Sequence, residues 1–185
     1  MKIPALGLVA ILALQGTPVE DRQKLKAAMG DNALVGTWFY EDLDGALAEA
    51  SRSGKPLMVV LRCAPCRPAR TIDRQVSGRT DPELAKAMNR YVCVRIVQGW
   101  GLDLSLFQFD WRTTWTVFLM NADRGVYGRY DAREANDALG LRKALEGALE
   151  LHEKWPANKA ELAGKTGPAP RWKRPEEIPA LREKG

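Results

Sequence analysis

The sequence predicts an α/β fold, a mixed central sheet flanked by helices on both faces, and three observations predict it. Runs rich in Val, Ile, Leu and aromatic residues at 57–61, 91–97 and 116–120 have the length and composition of strands. Segments with apolar residues at helical spacing, at 42–53 and 134–155, are interspersed with those runs. Finally, the run at 116–120 is followed within a few residues by another at 126–130. That gap suits a hairpin turn, whereas the earlier runs are joined by helical segments.

Taken in order, residues 20–32 are polar and read as a linker or a short helix, and 34–40, apolar and aromatic, as a first strand. Leu43, Ala46, Leu47 and Ala50 make a helical stripe behind a capping Asp42 or Asp44. Gly54-Lys55-Pro56 stops that helix and launches the strand 57–61. A second helix opens at Cys63 and runs past Ile72 and Val76 towards Gly78. Thr80-Asp81-Pro82-Glu83 starts a third, short one. The strand 91–97 reads as largely buried, and 100–111 as a short helix between loops. The last helix carries Ala138, Leu141, Leu145, Leu149, His152 and Trp155 on one stripe. The expected order is β-α-β-α-α-β-(α)-β-β-α.

The ends of the chain differ from its body. Met1 and Lys2 precede an apolar stretch from residue 3 to 14, closed by Gln15-Gly16-Thr17-Pro18. About a dozen apolar residues are too few to span a bilayer and match a secretory signal. Residues 1–16 are therefore read as a signal peptide, with an uncleaved anchor as the lesser alternative. Residues 17–33 are read as a linker, 34–155 as the folded domain and 156–185 as a Pro-rich charged tail, docked or disordered. Export places the protein in the periplasm or outside the cell, with no transmembrane span in the mature chain. The net charge of +5 does not signal nucleic-acid binding: the tail holds seven Lys/Arg against four acids, and residues 17–155 stand near neutrality.

The chemistry is carried by Cys63-Ala64-Pro65-Cys66, directly after the strand 57–61. Thiols three residues apart on a first helical turn lie within bridging range. Unpaired N–H groups at a helix N-terminus favour thiolate, the species that attacks disulfides. Lys55, Arg62, Arg67, Arg70, Arg74 and Arg79 face a single acid, Asp73, between residues 55 and 79, which points the same way. Arg62, adjacent to the sulfur, is the cation expected to matter. Three cysteines are too few for a disulfide framework. Cys93, inside a strand, reads as a small hydrophobe. His152, the one histidine, reads as a packed residue of the last helix.

The element order, with CxPC at the tip of the second strand, resembles the thioredoxin fold over residues 34–155. It is similar to secreted bacterial thioredoxin-like domains in which a "GKPL" strand, here Gly54-Lys55-Pro56-Leu57, precedes the motif. Trp115-Thr116-Val117-Phe118-Leu119-Met120-Asn121-Ala122-Asp123 resembles that family's Pro-Thr strand and turn. The resemblance implies disulfide exchange with protein thiols through Cys63 and Cys66. Ala64, Pro65, Arg62, Trp115 and Thr116 would then shape the site, and a membrane electron donor or acceptor is an implied partner. No cofactor is called for.

Three positions depart from the family pattern. Trp115 stands where the family has its cis-proline, Arg62 replaces the usual aromatic, and Leu57 replaces a buried acid. At Trp115, and at Trp111 near it, the aromatic residue is read either as core or as a wall of a substrate groove. The competing reading of the whole is a non-enzymatic binding module that holds a partner protein or Cu(I) at the two thiols. One histidine and no second CxxC argue against a tetrahedral zinc site.

Overall fold

The computed structural model describes residues 19–63, 70–110, 113–132 and 138–182. Five strands form one sheet: β1 (Phe39–Tyr40), β2 (Leu57–Arg62), β3 (Val92–Ile96), β4 (Trp115–Met120) and β5 (Val126–Asp131). Their spatial order is β1-β3-β2-β4-β5. β1, β3 and β2 run parallel, and β4 and β5 run antiparallel to β2 and to each other.

β2 is central and buried on both faces, which is why its sequence is apolar without alternation. Met58 and Val60 point to one core, where α3 (Arg70–Gly78), α4 (Pro82–Met88) and α5 (Ala138–Glu153) supply Ile72, Val76, Leu84, Met88, Leu141 and Leu145. Leu57, Val59 and Leu61 point to the other, closed by Ala46 and Ala50 of α2 (Leu43–Ser53) and by Leu102 and Phe107. The predicted layering, with helices on both faces of a mixed sheet, is the observed one.

Local chemistry fixes the helix ends. Asp42 caps α2 by accepting from Gly45 N–H at 3.2 Å, and Gly54 ends it at φ 67°, where a side chain would be strained. Asp81 accepts from Leu84 N–H at 2.8 Å with Pro82 at the first helical position. Asp81→Ala is expected to cost about 1 kcal/mol, read as a lower urea midpoint; an unchanged midpoint would mean that packing alone holds α4.

Two sequence expectations need correction, and two that stood open take one of their alternatives. Of the linker or short helix read at 20–32, the helix is present: α1 (Val19–Ala28) is followed by a 3₁₀ turn (Asp31–Ala33) whose Asp31 is buried. The first strand is two residues long, because Gly36 turns at φ 83° and Val35 N–H bonds Ser77 O at 2.8 Å. No helix forms in 98–110. There Gly101 sits at φ 78°, and Asp103 accepts from Ser105 N–H at 2.9 Å, a local bond that competes with helix. The tail includes α6 (Lys159–Leu162) and α7 (Pro179–Arg182), and it docks on this loop. Lys173 O accepts from Leu104 N–H at 2.8 Å, Glu176 Oε2 accepts from Gly101 N–H at 3.0 Å, and Gln108 exchanges two hydrogen bonds with Gly167.

Candidate functional site

Cys63 lies one residue beyond β2, at the carboxyl edge of the parallel strands, the edge where open α/β sheets place their sites. Its N–H donates to Thr114 O at 2.8 Å, which extends the β2–β4 ladder past its last pair, Arg62 opposite Trp115. Cys63 is disulfide-bonded, whereas Cys93 is a buried free thiol. Beside Cys63 runs a groove of about 230 Å³ whose walls include Ile96, Leu102, Phe109, Thr113 and Thr116. Phe109 and Phe107 both meet the ring of Phe118 edge to face, which anchors this wall to the core. Thr116 is fixed by donating to Tyr130 O at 3.3 Å. Glu41 braces the lining residues Val97 and Gln98: its Oε1 accepts from Val97 N–H at 2.5 Å and Gln98 N–H at 3.0 Å, and burial holds its carboxyl above the ordinary glutamate range.

Beneath the site lies a feature that the sequence reading did not foresee. Arg95, in the middle of β3, is fully buried between two carboxylates. Its Nε and Nη2 donate to Asp31 at 3.0 and 2.9 Å, and its Nη1 and Nη2 donate to Asp73 of α3 at 2.8 and 2.9 Å. Arg62, the residue before Cys63, binds the same two acids, with Nη1 3.0 Å from Asp31 and Nε 3.1 Å from Asp73. Tyr40 O–H donates to Asp31 and Trp115 Nε1–H donates to Asp73, each at 3.0 Å.

Two guanidinium and two carboxylate groups thus form a charge-balanced quartet in which the acids accept from several donors, the condition under which buried ions are tolerated. Burial lowers the Arg95 pKa, but its carboxylate partners more than reverse this and hold it above the usual arginine value. Burial, reinforced by Asp31, raises the Tyr40 phenol.

The quartet bears on two expectations. Arg62 is not an unopposed cation beside the sulfur, since both acids bind it and only 15% of its side chain is exposed. Counting acids between residues 55 and 79 missed Asp31, which arrives from the N-terminal segment. Lys55 and Arg79 are held elsewhere, Lys55 by Asn89 O and Arg79 by Val35 O and Asn89. Trp115 is fully buried and packs in the core containing α3 and α5, so its ring is not a groove wall. Its indole N–H binds Asp73 instead. Thr116, its neighbour, does line the groove.

Ala64, Pro65, Cys66, Arg67 and Trp111 lie outside the described residues. Cys93 is packed as a small hydrophobe, and burial pushes its thiol up to about 11. His152 bridges Tyr127 O–H at 2.7 Å and Gly54 O at 2.9 Å, a packing role remote from Cys63. Among the described residues no three metal-ligating side chains gather.

Residues 38–122, a little under half of the chain, match a family model described as thioredoxin-like. The crystal structure of a poplar wild-type thioredoxin h is similar at 24% identity and a TM-score of 0.42, covering 62% of this chain and 98% of that one. No curated protein sequence matches. Sheet order, strand directions and flanking helices define the class as a mixed α/β fold, and the family model that matches its central part is the thioredoxin-like one.

Proposed function

We propose that this protein is an exported thiol–disulfide oxidoreductase that exchanges disulfides with protein thiols through Cys63 and Cys66. The observation that carries the reading is Cys63 itself, engaged in a disulfide at the carboxyl edge of the parallel strands and beside a mainly apolar groove. Cys93 is free and buried, which leaves Cys66 as the other thiol for an exchanging pair.

In the reducing direction, the Cys63 thiolate attacks one sulfur of a substrate disulfide. That S–S bond breaks, a mixed disulfide forms, and the departing sulfur takes a proton. The Cys66 thiolate then attacks Cys63, closing the intrachain bridge and releasing the second substrate thiol. Two electrons and two protons pass to the substrate. Oxidation is the same sequence reversed.

The groove walls, which include Leu102, Phe109, Thr113 and Thr116, would receive the chain that flanks the substrate cysteine. Because Arg62 is paired with Asp31 and Asp73, its charge does not by itself favour one direction of exchange.

Export belongs to the proposal and rests on residues 1–16, in a compartment where disulfides persist. Among the described residues no helix is long and apolar enough to cross a membrane. A membrane-bound electron donor or acceptor would complete the cycle.

The test is insulin reduction, together with reactivation of a scrambled disulfide protein, by the wild type and Cys63→Ser. Turnover by the wild type with background activity in the variant is the expected result. Equal activity of the two proteins refutes it.

A further inference from the structure

The quartet sits immediately behind Cys63, the cysteine that lines the groove among the described residues. Arg62 and Cys63 are neighbours in the chain, about 3.8 Å apart at Cα, and both contribute to the groove. Yet the Arg62 guanidinium is drawn to Asp31 and Asp73, which approach from two separate elements, the N-terminal 3₁₀ turn and α3. Arg95 alone could be satisfied by the two bidentate carboxylates it already holds. With Arg62 added, the cluster carries two positive and two negative charges.

We propose that Asp31 and Asp73 are positioning residues for Cys63, anchoring the Arg62 guanidinium and cancelling its charge so that the quartet's balance sets the reactivity of the thiol. The proposal rests on Cys63 being the attacking sulfur. Both acids act through Arg62 and neither needs to touch substrate. Among the described residues, the charged groups around Cys63 that enter the balance are Arg62 and, behind it, Asp31, Asp73 and Arg95. A charge left uncompensated so close to a thiol, in an environment of intermediate dielectric, moves its titration by about one unit.

The experiment measures the pH dependence of iodoacetamide alkylation at Cys63. The full chain is reduced with dithiothreitol, carries Cys93→Ala, and is read by peptide mass so that Cys66 is counted separately. Asp31→Asn leaves the quartet one positive charge in excess, and its alkylation midpoint is expected about one unit below wild type. Arg62→Met leaves one negative charge in excess, and its midpoint is expected to rise. The double variant Asp31→Asn/Arg62→Met restores balance, and its midpoint is expected within about 0.3 unit of wild type, the precision of such a profile.

Folding of each variant is checked by circular dichroism. Should Asp31→Asn fail to fold, Arg62→Met, altered nearer the surface, decides by the direction of its shift. Unmoved midpoints in folded variants, or shifts of the same sign in both single variants, overturn the proposal, since a purely structural role produces one or the other. Insulin reduction by the wild type is scored independently. Opposite midpoint shifts without turnover would refute disulfide exchange while supporting the quartet's role, and turnover with unmoved midpoints would do the reverse.

Discussion

Arg95→Met is expected to lower the unfolding free energy by about 3–5 kcal/mol, the usual cost of breaking a buried ion network from one side. The side chain is fully buried, and the substitution leaves Asp31 and Asp73 facing each other with only Arg62 between them. Methionine fills much of the volume, so the loss is electrostatic and not a cavity effect. Domains of this size have only about 5–15 kcal/mol of stability to lose. Urea denaturation gives the number directly, and a loss below about 1 kcal/mol would show that solvent compensates the carboxylates. Trp115, whose indole N–H is held by Asp73, makes the same change visible in fluorescence before unfolding.

Between pH 9 and 11 the protein is expected to lose about 3 kcal/mol of stability through Cys93 alone, from a shift of about two pKa units at 1.36 kcal/mol each. Burial raises this thiol from 9.0 to about 11, so across that window the unfolded chain gives up a proton that the folded chain retains. Ionisation therefore favours unfolding. The contribution is complete below pH 9, falls as pH rises, and is gone above 11. Tyr40 and Tyr91 are also held above the ordinary phenol range by burial, and they carry the decline to still higher pH. Urea midpoints for wild type and Cys93→Ala at pH 8.5 and 11 isolate the thiol. A wild-type slope no steeper than that of the variant would mean that the thiol is already accessible.

The fold was legible because each layer left a period in the sequence. The uniform apolarity of β2 reported burial on both faces, and the stripe of α5 reported one face. Asp42, Gly54 and Pro82 marked helix ends through chemistry that acts over three or four residues. The position of Cys63 followed from the same local signals.

What escaped were interactions closed over long separations. Asp31 lies 64 residues from Arg95 and sits in a stretch as polar as any linker, so nothing nearby marks it as buried. Arg95 did carry a signal. An arginine between Val94 and Ile96, in a strand too apolar to have a wet face, must be buried and therefore needs a counter-charge. That argument demands a carboxylate but cannot say which one. Trp115 was left open between core and groove for a related reason: alignment to a motif gives its register, while the donor–acceptor pair with Asp73 decides where its ring goes.

The seating of Asp31 also bears on where the folding unit begins. A fragment cut at residue 38 would retain the whole stretch that matches the thioredoxin-like family and all five strands. It would nevertheless contain Arg62 and Arg95 with one shared carboxylate instead of two, and a Tyr40 hydroxyl without its acceptor. The buried ion cluster therefore reaches upstream of the stretch that the family model matches. The short 3₁₀ turn at Asp31–Ala33 is a keystone of that cluster, although by sequence it looks like an approach to the domain.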